Sequence, residues 1–323
     1  MRAAHAITAA AAATAEVKPI NAMRTPPIAV PAMRRTGCRY RAGDAPNRLS
    51  AERSNLRRVD SNLDYVAAVT RESARFAEAI RGAAPDTPVP TCPGWTADDL
   101  LWHLGEVQWF WAAVVREDVD GTRAEELKPP RPPDRAGLLE FFDRASRDLV
   151  EILAARPPES AAWTWSDDQS AAFIRRRQAH EALIHRVDAE LVGASQTPLD
   201  PALSADGIDE VLRIMYGGVP DWGTFTPEEA GATVRVQATD TGGSWLVTLG
   251  RFTGTEPDGT SHDEPDIHTA DSDPGTKADA DLTGAAANVN CWLWRRPTLG
   301  PVGLTGDRDV LIRFEAAVAG SDS

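Results

Sequence analysis

Four segments of the chain place apolar residues at the i, i+3, i+4 and i+7 spacing that puts them on one face of an α-helix. The first ends at Gly82. The second begins at Thr96, a residue type that caps helices, and runs to about Arg116. The third covers about 135–155 and the fourth about 170–191. Four amphipathic helices in sequence predict a four-helix bundle.

After Pro201 the period of the apolar residues changes. A fifth helix over about 204–215 precedes two runs in which apolar and polar residues alternate, 233–237 and 244–249, as in half-buried strands. The acidic, glycine-rich stretch 253–275 is predicted to be a loop. The remaining predicted elements are a strand near 277–283, a helix near 285–294, a strand at 302–305 and a helix at 308–318. This order predicts a smaller α+β domain after the bundle, so the overall fold class is α+β.

Residues 1–58 differ in composition from the rest of the chain. They hold eleven Lys and Arg against three acidic residues, a net charge of +8, and lack sustained apolar periodicity. We expect a disordered basic extension there, although an Arg-rich, acid-poor segment is also typical of an organelle transit peptide. The predicted organisation is an extension over 1–58, a helical bundle over 59–196 and an α+β domain over 197–323.

The charge of the remaining residues excludes one class of partner. The whole chain carries a formal net charge of −14, so the part after residue 58 carries −22. A body this acidic repels the phosphate backbone, and we expect no nucleic-acid partner. An anionic substrate would need a local basic patch.

The compartment follows from the apolar runs and the cysteines. No uncharged apolar stretch approaches the ~20 residues that a membrane-spanning helix needs. The three cysteines, Cys38, Cys92 and Cys291, are too few and too scattered for a disulfide framework or a zinc knuckle. We therefore expect a soluble protein in the cytoplasm, with no membrane partner.

Three residues on two predicted helices have the types and spacing of a metal site. Glu181 and His185 are at i and i+4 of the fourth helix, so they share a face and can reach one ion. His103, between apolar neighbours on the second helix, is a third candidate ligand. A His/Glu/His set is a common catalytic zinc arrangement with a fourth position left open. The spacing is equally compatible with a solvated acid–histidine pair and a core histidine bonded to a carbonyl.

Neighbouring residues leave the ligand set open. Glu106, three residues after His103, is a rival or fourth ligand. His180 lies about 100° around the helix from Glu181, which favours an outer-shell or exposed position. Asp188, three residues after the second predicted histidine ligand, either orients that imidazole or forms a surface pair.

Two pairs of sequence stretches resemble the mycothiol-dependent maleylpyruvate isomerase family, which belongs to the DinB-like metal-binding helical bundles of actinobacteria. They are PTCPGWT at 90–96 with LWHLGE at 101–106, and RQAHE at 177–181 with HRVDAE at 185–190. The resemblance covers about 60–318. It implies a DinB-like bundle followed by a domain similar to the sterol-carrier fold.

The resemblance also implies cofactors and a reaction. In the family a divalent metal, usually zinc, is held by residues that match His103, Glu181 and His185. The second cofactor is mycothiol, a low-molecular-weight thiol whose thiolate adds to the cis double bond of maleylpyruvate and leaves after rotation. The alternatives are a mycothiol S-transferase used in detoxification, a non-catalytic metal-binding or ligand-sensing protein, and a small-molecule carrier dominated by its C-terminal domain.

A small anionic or electrophilic substrate such as a dicarboxylate needs cations, and the arginine fork suits carboxylates. The family uses an arginine of its C-terminal domain, which implies Arg295 or Arg296 here. Arg177, one turn before Glu181 on the same face, is predicted to contact a cofactor or ligand carboxylate, or to lie on a solvated face. Cys92 is either a reactive thiol or part of an ordinary turn.

Overall fold

The structure is a computed structural model that describes residues 63–228, 231–256 and 259–319. The expectation of disorder over 1–58 lies outside these residues. The N-terminal part is helical, and the C-terminal part combines a sheet with helices, so the predicted α+β class is confirmed. The helices of the first part are α1 (Tyr65–Arg81), α2 (Ala97–Glu117), the short α3 (Gly121–Leu127), α4 (Arg135–Ala155) and α5 (Ala171–Val192).

Each of these helices begins at a side chain that accepts a hydrogen bond from a backbone N–H three residues later. The capping residues are Asp64, Thr96, Asp120, Asp134 and Ser170. At Thr96 the bond is reciprocal, because the Asp99 carboxylate accepts from the backbone N–H of Thr96. Such caps satisfy N–H groups that a helix start leaves unpaired. The predicted starts of α2, α4 and α5 are confirmed to within a residue.

The bundle core forms where α1 packs on α5 and α2 packs on α4. The core contains large side chains that are fully buried, among them Phe76, Leu104, Phe142 and Leu149. Trp111 is also buried, as expected of a core residue. This packing brings the middle of α2 against α5 and so sets the distance between the predicted ligands.

The C-terminal part begins with α6 (Pro201–Glu210), which continues directly into a π-helical turn (Val211–Tyr216). In its sheet, hydrogen-bonded neighbours follow the order β1-β3-β2-β5-β6, and β4 forms a further pair with β3. The strands are β1 (Gly223–Pro227), β2 (Thr233–Ala238), β3 (Gly243–Thr255), β4 (Ser261–Thr269), β5 (Ala280–Gly284) and β6 (Val302–Gly306). The parallel pair is β2 with β5, and the others are antiparallel. The last helices are α7 (Ala286–Leu293) and α8 (Arg308–Ala319).

The prediction of a loop over 253–275 is wrong for most of that stretch. Strand β3 continues to Thr255, and β4 occupies Ser261–Thr269 in an antiparallel pair with it. Acidic residues have low strand propensity, but exposed and partly buried positions alternate along most of β4, and Arg251 pairs across the strands with Asp263. Cross-strand partners outweigh intrinsic propensity in this pair.

The two parts of the chain share a packed boundary. Ile184 of α5 belongs to the apolar core that the sheet forms with α6, α7 and α8. The predicted boundary between 196 and 197 lies in the connection from α5 to α6. Through this contact, residues after α7 reach the side of α5 that carries the predicted ligands. Among the described residues, no helix combines the length and apolar content needed to cross a bilayer.

Candidate metal centre

His103 of α2 and Glu181 and His185 of α5 converge. One ligand atom from each lies within 4.8 Å of the other two. Glu181 Oε1 is 3.2 Å from His185 Nε2 and 3.5 Å from His103 Nε2. The two imidazole rings meet edge to face, with centroids 4.9 Å apart. The structure thus brings together the three residues that the sequence predicted as ligands.

These residues fit a divalent cation. The His103 Nε2 atom is buried and makes no hydrogen bond, although the carboxylate is near. A buried polar atom without a hydrogen bond calls for a partner. Two imidazole nitrogens and one carboxylate oxygen form a donor set that catalytic zinc sites use, with a further coordination position open. The His103 side chain is 13% exposed and that of His185 only 6%, so His103 is the more exposed of the two histidines.

Each histidine faces a carboxylate with its other ring nitrogen. His185 Nδ1 donates to Asp188 Oδ2 at 2.9 Å, and His103 Nδ1 lies 3.9 Å from Glu106 Oε1. A carboxylate at Nδ1 fixes the ring and leaves Nε2 for a metal. Of the two sequence interpretations of Asp188, the structure shows the orienting one, since its side chain is fully buried. Glu106 lies on the Nδ1 side of His103 and is not one of the three residues whose ligand atoms converge.

The electrostatics keep the carboxylate ionised. Burial acts to raise the pKa of Glu181, but the two imidazoles and the Arg177 guanidinium outweigh it and hold the pKa well below its usual value. Burial acts to lower the pKa of His185, yet hydrogen bonds to Asp188 and Glu181 raise it to about 9. A cation at Nε2 would therefore displace a proton from His185.

Two domain matches cover most of the chain. Residues 66–190 match the mycothiol maleylpyruvate isomerase N-terminal domain, and residues 202–313 match the C-terminal domain of the same family. The chain belongs to the mycothiol-dependent maleylpyruvate isomerase family. No curated protein matches the sequence significantly.

Two solved structures are similar to this chain. A crystal structure of the mycothiol-dependent maleylpyruvate isomerase with a His-to-Ala substitution has a TM-score of 0.50 and 11% identity, over 76% of this chain and 93% of that one. A second crystal structure of the mycothiol-dependent maleylpyruvate isomerase has a TM-score of 0.49 at the same identity and coverage. At this identity the first likeness shows the two-part fold of the family and no more.

Arg177 has a structural place in this family member. Its Nη2 donates to Glu181 Oε2 at 2.9 Å, and its Nη1 donates to both carboxylate oxygens of Glu210 on α6. The guanidinium also lies over the Trp294 ring, 5.7 Å from its centroid. The guanidinium is buried and held by these protein carboxylates. Arg177 therefore binds the carboxylate of the predicted metal ligand Glu181 at Oε2, while Oε1 faces the imidazoles.

The two C-terminal arginines occupy different environments. Arg296 is buried, and its Nε and Nη2 donate to the two oxygens of Asp188 at 2.9 and 2.7 Å. Its Nη1 donates to the Trp294 carbonyl oxygen at 2.7 Å. Arg295 is half-buried and adopts a left-handed backbone conformation, with φ of 57°. The Arg296 fork is therefore engaged within the protein.

Two further expectations are decided by burial. Cys92 is buried, and its Sγ lies 3.8 Å from Asp188 Oδ2. Burial, with the nearby negative charge of Asp188, raises the pKa of the Cys92 thiol to about 12, so it stays protonated at neutral pH. His180 is not exposed but buried, and its Nε2 lies 2.8 Å from Asp206 Oδ2.

Two charged residues that support the site were not predicted from the sequence. Lys128, just after α3, places Nζ 3.3 Å from Glu106 Oε2. Glu210, at the end of α6, holds Arg177. Neither carries a local signal, because each reaches the site only through the packing of separate helices.

Proposed function

We propose that this chain is a divalent-metal enzyme that uses mycothiol to act on a small electrophilic substrate. The reaction that we assign is cis–trans isomerisation of a maleylpyruvate-like dicarboxylate. The observation that carries the proposal is the buried convergence of His103, Glu181 and His185, with the His103 Nε2 atom lacking a hydrogen bond. Family membership adds the thiol and the substrate class.

The chain's own residues prepare the site. His103, Glu181 and His185 would hold the metal, which when bound lets a thiol lose its proton at neutral pH. Arg177 keeps Glu181 ionised from the side of Oε2, so that Oε1 remains toward the imidazoles. Asp188 accepts a hydrogen bond from the Nδ1–H of His185 and leaves Nε2 as the coordinating atom.

The covalent steps of the reaction need no reactant other than the thiol and the substrate. The thiolate sulfur forms a bond to one carbon of the cis double bond, and the π electrons move onto the conjugated carbonyl. The former double bond then rotates as a single bond. The electrons return, the carbon–sulfur bond breaks, and the trans product leaves with the thiolate regenerated.

The test is a turnover assay on the purified protein. Maleylpyruvate should be converted to fumarylpyruvate only when both zinc and mycothiol are present. Protein stripped of metal by a chelator should be inactive and should recover on adding zinc. Equal turnover before and after stripping would contradict a metal-dependent reaction.

A second candidate, a mycothiol S-transferase, is favoured by one observation. Two of the three arginines predicted to hold an anionic substrate, Arg177 and Arg296, are engaged by protein carboxylates. A site with fewer available guanidinium groups suits a less anionic electrophile. Conjugation of mycothiol to a haloarene, with no turnover of maleylpyruvate, would select this reaction. The cytoplasm, where low-molecular-weight thiols stay reduced, suits both reactions.

Replacing Arg295 with Gly tests the other C-terminal arginine that the family resemblance implies for substrate binding. Glycine accepts the left-handed backbone at this position without strain, so the fold should be kept or slightly stabilised. Loss of a charge-assisted bond of about 1.5–3 kcal/mol should raise KM for the dicarboxylate roughly 10- to 100-fold, with zinc content unchanged. Steady-state kinetics with mycothiol saturating measure this.

The matched control for that variant is Asp118→Gly. Asp118 also has a left-handed backbone, with φ of 52°, but it is the exposed C-cap of α2. It should show the same small change in stability and parental KM. An Arg295→Gly variant with the parental KM would remove Arg295 from the substrate site.

A further inference from the structure

Arg296 reaches the metal centre because of the way α7 ends. Arg295 takes the left-handed conformation just after the helix, and its N–H donates to the Trp292 carbonyl oxygen at 2.9 Å. The N–H of Arg296 donates to the Cys291 carbonyl oxygen at 2.7 Å. This pair of bonds is a Schellman motif, which reverses the chain at the helix end. The reversal directs the Arg296 side chain back toward α5.

On α5, Arg296 meets the carboxylate of Asp188, which orients the predicted metal ligand His185. Its Nε and Nη2 each take a different oxygen of Asp188, a two-point contact that fixes the plane of the carboxylate. Asp188 Oδ2 also accepts from Nδ1 of His185 at 2.9 Å. The Thr91 hydroxyl donates to Asp188 Oδ1. Arg296 and Asp188 are both buried, so this geometry has little freedom.

The other histidine is supported differently. The carboxylate of Glu106 lies 3.9 Å from His103 Nδ1, and its cation is Lys128, whose side chain is 30% exposed. That arrangement lies wholly within the bundle and is looser. The rigid support of the centre is therefore on the His185 side, where the C-terminal domain supplies the cation.

We propose that Arg296 is a positioning residue of the metal centre, which acts through Asp188 to fix the His185 imidazole. The C-terminal domain thereby completes a metal site whose ligands all belong to the helical bundle. This inference rests on the proposed metal-dependent function. It assigns to Arg296 a role in metal affinity and not in contact with the substrate.

The test measures zinc affinity of the full chain by competition with a chromophoric chelator. Arg296→Met should weaken zinc binding about 10- to 100-fold, as loss of an outer-shell partner of a metal ligand does. In cobalt-loaded protein it should also change the visible absorption of the metal. Arg296→Lys should recover part of the affinity, because an ammonium restores the charge but not the two-point contact.

Arg186→Met is the matched control. Arg186 is the neighbour of His185 on α5 and is equally buried, but it pairs with Glu72 and Glu190, which touch no predicted ligand. It should destabilise the fold while leaving the zinc affinity of the folded protein at the parental value.

A double-mutant cycle with Asp188→Asn separates positioning from general damage. If Arg296 acts through Asp188, then Arg296→Met should cause no further loss of zinc affinity once Asp188 is Asn. The double variant also removes both buried charges, so it keeps the test usable if Arg296→Met alone does not fold. Parental zinc affinity in folded Arg296→Met would overturn the proposal, as would an undiminished loss in the Asp188→Asn background. A parent chain that binds no zinc would overturn the metal centre itself.

Discussion

Replacing either His103 or His185 with Ala is expected to remove most of the metal from the purified protein. Each supplies one of three converging ligand atoms, and its loss leaves the other two poorly oriented. Apparent zinc-binding free energies of about 10–16 kcal/mol, divided among ligands, make one ligand worth about 3–5 kcal/mol, a loss of affinity on the order of a thousandfold. Metal analysis after gel filtration, together with chelator competition, measures the effect.

Glu106→Ala is the control that distinguishes a ligand from its outer-shell partner. Its carboxylate faces His103 Nδ1 at 3.9 Å and lies outside the converging group, so its loss should lower zinc occupancy much less. A larger loss in Glu106→Ala than in His103→Ala would make Glu106 the better ligand candidate. Stoichiometric zinc in both histidine variants would refute this metal centre.

Arg177→Met is expected to destabilise the metal-free protein by about 3–5 kcal/mol, the usual effect of removing one partner from a buried ion pair. The guanidinium is buried between Glu181 and Glu210, and without it both carboxylates stay buried while losing their hydrogen bonds to its N–H groups. The free energy of unfolding from urea titration of the metal-free protein measures the change.

The double variant Arg177→Met with Glu210→Gln checks the cause. It removes the negative charge of one of the two carboxylates that lose the guanidinium, so it should recover a large part of the lost stability. If Arg177→Met instead lowered the stability by less than about 1 kcal/mol while weakening mycothiol binding, Arg177 would be a cofactor-binding residue, as the sequence first suggested.

The sequence predicted the bundle well because its signals are local. Helix starts at Thr96 and Ser170 depend on side chains that bond to N–H groups three residues away. The shared face of Glu181 and His185 follows from helix geometry alone. His103 joined them only because it stood on a second amphipathic helix and matched a family motif.

The sheet was predicted less well because its stability is not local. Strand β4 is acidic and poor in strand-forming residues, and nothing within Ser261–Thr269 indicates its partner. It forms because β3 lies beside it in antiparallel register, from Val247 paired with Thr269 to Thr255 paired with Ser261. Strand propensity reflects such neighbours more than the segment itself.

The sequence by itself determined the long helices of the bundle, the candidate ligand set and the presence of arginines suited to an anion. The tertiary structure decided what each arginine does. Asp188 is 108 positions from Arg296, and Glu210 is 33 positions from Arg177, yet each carboxylate engages its guanidinium in a buried ion pair. A guanidinium is available to a ligand only where no protein carboxylate reaches it first. That depends on how α5, α6 and the end of α7 pack together.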